Sequence, residues 1–112
     1  MLDIKCIVTI VERGKADEIV KEAKKAGASG ATIFYGRGTG ETEVKKFLKI
    51  SVESSKEIIL IMAKEMDCKK IMKAIIKAGE LKKPGTGITF SLPIIDLVGL
   101  QHRDSFEETE AE

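Results

Sequence analysis

Apolar positions follow two rhythms along this chain, and the pair of rhythms occurs twice. Residues 4 to 27, IKCIVTIVERGKADEIVKEAKKAG, begin as an apolar run, pass a charged turn and settle into a spacing of three and four. Residues 56 to 79, KEIILIMAKEMDCKKIMKAIIKAG, do the same at a constant offset of 52. Ile7 aligns with Ile59, Ile19 with Ile71, Val20 with Met72, and Lys25-Ala26-Gly27 with Lys77-Ala78-Gly79. Each copy predicts a strand, a turn and a helix, closed by a glycine where a left-handed C-cap is favoured. A further strand follows each copy, GATIFY after the first and GTGITFSL after the second. The order β-α-β-β-α-β is the split βαβ, ferredoxin-like arrangement. The predicted class is α+β, a four-stranded antiparallel sheet with two helices on one face.

The helical segments fit that architecture. Ala16, Ile19, Val20 and Ala23 share one face of the first, while Lys15, Asp17, Glu18, Lys21, Glu22 and Lys25 take the others. In the second, Asp67 is the expected N-cap, and Cys68, Ile71, Met72, Ile75 and Ile76 form a wider stripe. Lysines near both C-termini suit the helix dipole. The strands fit less simply. A sheet covered on one face should alternate apolar and polar residues, yet Ile58 to Ala63 is apolar throughout and Ile7 to Val11 is broken only by Thr9. The uncovered face would then expose Ile7, Val11, Ile59 and Ile61 or their neighbours, more than a monomer usually shows. A homo-oligomer whose sheets face one another resolves the conflict. The apolar PIIDLVGL that follows Leu92 is expected to dock on a neighbour or on the sheet edge.

Composition narrows the function classes. The chain has 112 residues, 43% hydrophobic and 33% charged, with a formal charge of +1, which suits one soluble domain. Acids and bases are interleaved, so no bulk field points to nucleic acid. The longest apolar run is far too short to span a bilayer, and Met1 leads straight into a strand, so the expectation is a cytoplasmic protein without membrane insertion. Residues 1–103 are read as the domain. Residues 104–112, DSFEETEAE, carry five acids and one aromatic and read as a disordered, solvated tail, with a functional acidic tail as the alternative. Cys6 and Cys68 are too few for a metal knuckle or a redox pair and are expected as buried free thiols. The single histidine, His102, gives neither metal chemistry nor a nucleophile's base much to build on. No catalytic set appears among the serines and carboxylates, and no enzyme is expected.

Two glycine-rich stretches remain. Gly36-Arg37-Gly38-Thr39-Gly40 follows the second strand, and Lys82-Lys83-Pro84-Gly85-Thr86-Gly87 precedes the last. Both combine freely rotating backbone, a hydroxyl and positive charge, as a polyphosphate site requires. Neither has the spacing of a Walker loop or a dinucleotide fingerprint, and each also suits an ordinary hairpin or connector. They need not meet within one subunit but could meet across a subunit boundary.

The segments GASGATIFYGRGTG, EIILIMA and KKPGTGITFSLPI resemble the PII nitrogen-regulatory and PII-like signalling proteins over roughly residues 1 to 100. The resemblance implies a homotrimer of ferredoxin-like subunits with ATP, ADP or another adenine nucleotide in three inter-subunit clefts, and no covalent cofactor. It carries Thr32, Gly36, Gly38, Gly85 and Gly87 over as site residues. Arg37, Thr39, Lys83 and Thr86 join them from the same two stretches. The resemblance also implies that a loop after the second strand moves with the ligand and grips a partner protein. Several positions depart from the family's pattern. The phosphate loop reads Gly85-Thr86-Gly87-Ile88 where the family has Gly-Asp-Gly-Lys, and Thr39 and Gly40 stand in place of an Arg-Gln pair. VGLQHR offers only Arg103 in place of paired arginines. The loop is cut to about ten residues, Arg37 to Lys46, with a helical tendency at EVKKFL, and the modified tyrosine has no counterpart. Lys82 and Lys83 are the conjectured replacement charge. Nitrogen control and 2-oxoglutarate sensing do not carry over. Two rivals stand beside the nucleotide sensor: a trimeric scaffold that has lost its ligand, and a relative of the divalent-cation-tolerance proteins.

Overall fold

The computed structural model describes residues 3–39 and 53–99. In chain order these are β1 (Ile4–Glu12), α1 (Ala16–Lys25), β2 (Thr32–Thr39), β3 (Glu53–Lys64), α2 (Glu65–Gly79) and β4 (Gly87–Pro93). The strands form one antiparallel sheet in the order β2-β3-β1-β4, the ferredoxin-like arrangement that the doubled pattern predicts. Val8 pairs directly with Leu60, and these two residues are also equivalent in the 52-residue repeat. A pseudo-twofold axis therefore passes between them, and the repeat becomes a symmetry of the fold. The tail 104–112, His102, Arg103, Gly40 and the EVKKFL segment lie outside the described residues.

Side-chain alternation sends Ile7, Thr9 and Val11 of β1, with Glu57, Ile59, Ile61 and Ala63 of β3, toward the helices. There they meet Ala16, Ile19 and Ala23 of α1 and Cys68, Ile71 and Ile75 of α2. Buried Thr9 shares a 3.0 Å hydrogen bond with the Thr89 hydroxyl. Ile7, Val11, Ile59 and Ile61 are thus core, and it is their neighbours that line the uncovered face. Val8, Ile10, Ile58, Leu60 and Met62 lie there beside Phe34, Ile88, Phe90 and Leu92, by direct cross-strand register. Phe34 is 46% exposed, Ile88 56% and Leu92 47%.

Three local expectations are corrected. Asp67 is not the N-cap of α2: the helix begins at Glu65 directly from β3, with Lys64 in the cap position, and Asp67 sits in the first turn. The left-handed residue after α2 is Glu80 (φ 52°), not Gly79. Gly79 instead makes room between the helices, since a Cβ there would lie 3.1 Å from Ile19 Cδ1 and 3.0 Å from Leu81 Cδ2. After α1 the expected glycine does take the turn, Gly27 having φ 120°. Both helices close with equivalent bonds, Ala28 N–H to the Ala23 carbonyl and Leu81 N–H to the Ile76 carbonyl, each 3.0 Å. Finally, β2 extends through Thr39, so Gly36 to Thr39 are strand rather than loop.

Candidate functional site

Gly36 and Gly38 continue β2 against β3, opposite Lys56 and Ser54. Their lack of side chains has a packing cause. A Cβ on Gly36 would come within 2.7 Å of Ile58 Cδ1, and one on Gly38 within 2.7 Å of Lys56 Cε. Lys56 lies across this surface and ends in a 2.6 Å ion pair with Glu12. Lys56 carries no sequence signal of its own, because only the antiparallel register brings it beside the glycines. Arg37 projects from the opposite face of the strand, the face shared by Tyr35. The Tyr35 ring lies beneath the Arg13 guanidinium, 5.0 Å from the ring centroid, a structural use of the strand tyrosine.

The second stretch forms the connection from α2 to β4. Thr86 Oγ1 stands 2.9 Å from the carbonyls of both Glu80 and Lys83 and donates its one proton within the turn. Lys83 Nζ is paired with Glu80 at 3.3 Å on the surface. Gly85 has φ 81° and Gly87 φ 149°, conformations that exclude most side chains. At Gly87 a Cβ would also meet the Ile10 carbonyl oxygen at 2.5 Å. Beside the turn, Ile76, Leu81, Lys82, Gly87, Ile88 and Thr89 line a hollow of about 290 Å³. Lys82 stands between it and a larger groove.

The two stretches lie at the same end of the sheet. Gly36 pairs with Lys56, which pairs with Glu12, and Gly87 pairs with the adjacent Val11. They occupy opposite edges, β2 and β4, with β3 and β1 between them. Three inter-strand spacings separate them, about 14 Å. Thr32 is apart from both: it pairs with Leu60 at the other end of β2, roughly 13 Å along the strand from Gly36. One copy of the chain therefore does not bring its nine candidate residues together.

Both cysteines are buried and free. Burial pushes each thiol above its ordinary value; the Ile61 backbone hydrogen bond opposes this at Cys6, as the Lys5 charge does at Cys68. Both therefore remain protonated and unreactive near neutral pH. Among the described residues no group of His, Cys, Asp and Glu could hold a metal ion, and no helix is long and apolar enough to cross a membrane.

The fold matches a solved structure described as Arabidopsis thaliana PII bound to citrate, with a TM-score of 0.69 and 19% identity over 89% of this chain and 85% of that one. Identity at that level speaks for the shared fold alone. The family model for nitrogen regulatory protein P-II matches residues 4–104, from the first residue of β1 to beyond β4. With so nearly complete a match, the chain belongs to the nitrogen regulatory protein P-II family.

Proposed function

We propose that this protein is a trimeric regulator that takes an adenine nucleotide, ATP, ADP or a relative, in clefts between copies and signals occupancy to a partner protein. The observation that carries this reading is the placement of the two glycine stretches, at one end of the sheet but on opposite edges. In an oligomer the β2 edge of one copy can stand beside the β4 edge of the next, so that one ligand touches both stretches at close range. The apolar helix-free face supplies the surface on which copies associate. Each cleft then combines Gly36, Arg37, Gly38 and Thr39 of one subunit with Lys83, Gly85, Thr86 and Gly87 of its neighbour, and Thr32 borders it farther along β2. Arg37, Lys82 and Lys83 supply the positive charge in place of the lysine absent at Ile88. The relative from Arabidopsis is described with citrate, a small polyanion, and an anionic ligand is the common chemistry. A soluble cytoplasmic regulator without nucleic acid, membrane insertion or covalent cofactor completes the proposal.

The test is calorimetric titration of the purified oligomer with ATP, ADP and cyclic AMP, with and without magnesium. Saturable heat is expected, weakened by Arg37→Ala and by Lys83→Ala. Gly87→Val is a poor probe, because its side chain would collide with the Ile10 carbonyl and disturb the fold. A trimer that gives no heat with any of the three supports the other reading, a scaffold that has lost its ligand. Two observations favour that reading: Ile58 and Lys56 already cover Gly36 and Gly38, and the Thr86 hydroxyl is engaged within its own turn.

A further inference from the structure

A groove of about 670 Å³ runs along the C-terminal half of α2 and the turn after it, lined by Lys73, Ile76, Lys77, Glu80, Lys82 and Lys83. It lies on the helix side of the fold and meets the proposed cleft only at Lys82 and Lys83. Its floor is Ile76 and the methylene stems of lysines. Its rim is cationic: four ammonium groups surround one carboxylate, and that carboxylate is already paired with Lys83. Among the described residues no ion pair engages Lys73, Lys77 or Lys82. Lys73 and Lys77 stand one turn apart on the same helix face, a spacing at which like charges repel. A shallow apolar channel with this excess of lysines on its rim calls for an acidic segment carrying an apolar side chain.

The chain itself contains such a segment. Residues 104 to 112, DSFEETEAE, place Phe106 among Asp104, Glu107, Glu108, Glu110 and Glu112. The geometry points to this groove as the docking site for the acidic tail, with Phe106 against Ile76 and the carboxylates among the lysines. The complementarity is specific to the place: the neighbouring hollow between the helices is lined by Glu18 and Glu22 beside Lys77 and offers an acidic tail no such match. Residues 94 to 99 are placed, with the Ile94 N–H on the Ile4 carbonyl, so the tether is the seven residues from Gly99 to Phe106, roughly 25 Å at full extension. β4 from Gly87, at the groove end, to Pro93 is about 20 Å long. The tail is tethered, so its effective concentration at the groove is high and modest contacts suffice. None of this depends on nucleotide binding.

The chain has no tryptophan, so a Phe106→Trp substitution in the full-length protein places a unique fluorophore at the proposed anchor. Its emission is expected to be blue-shifted and shielded from acrylamide at low salt. At about 1 M salt, where the screening length falls to ~3 Å, shielding should be lost. Lys73→Glu should raise quenching severalfold, and Glu107→Gln with Glu108→Gln should do the same without touching the folded body. An indole that emits as though in water in the otherwise unaltered chain would overturn the proposal. So would a shielded indole indifferent to both sets of charge changes, which would place Phe106 elsewhere. Circular dichroism on each variant verifies that the fold persists.

Discussion

Glu57 is 7% exposed and accepts hydrogen bonds from the Gly14 and Ala16 N–H groups. Lys15, in the cap position of α1, gives no side-chain cap, so a carboxylate from β3 satisfies the helix N-terminus across the fold. Removing it with Glu57→Ala strands two donors and should destabilise the protein by about 2–3 kcal/mol, read from the urea midpoint. Glu57→Gln keeps an acceptor oxygen but loses the charge that favours a helix N-terminus, and should cost only about 0.5–1 kcal/mol. No local sequence signal marks this role, because helix and cap are 41 residues apart. Gly87 shows the converse. The sequence singles it out as a phosphate contact, but its positive φ and the nearby Ile10 carbonyl require glycine there whether or not a ligand binds.

At the scale of elements, periodicity was a sound guide to type and a weaker one to ends. The 52-residue repeat located both strand-helix pairs, because apolar spacing reflects which face meets the core. The ends depended on contacts the spacing does not contain. Extension of β2 to Thr39 follows from pairing with Glu53, and a run of alternating glycines reads as loop until its partner strand is known. The end of α2 is shifted by one residue because Gly79 is needed for close helix packing, which leaves Glu80 in the left-handed turn. A side chain there costs ~1–2 kcal/mol; glycine's extra chain entropy offsets about 0.5–1 kcal/mol of that, and the exposed pair with Lys83 contributes little. Glu80→Gly should therefore raise stability by roughly 0.5 kcal/mol, measured by thermal or chemical unfolding.

For the whole molecule the decisive feature is the sheet face without helices. Phe34, Ile88, Phe90 and Leu92 at its margins surround the half-buried Val8, Ile10, Ile58, Leu60 and Met62. If copies associate through this face, Phe90→Glu should dissociate them by burying an unpaired charge, and sedimentation velocity should report a fall from oligomer to single-chain mass. An unaltered protein that already sediments as one chain would remove the proposed cleft. The sequence by itself determined the doubled strand-helix unit, the apolar excess of its strands and the two glycine stretches, because periodicity and composition act over a few residues and survive without knowledge of partners. Only the tertiary structure decided which strand face is left bare and that the glycine stretches stand on opposite edges of one sheet end. It alone also showed that a carboxylate from β3 caps α1. Those outcomes are set by strand order and register, which join residues far apart in the chain and have no local signature.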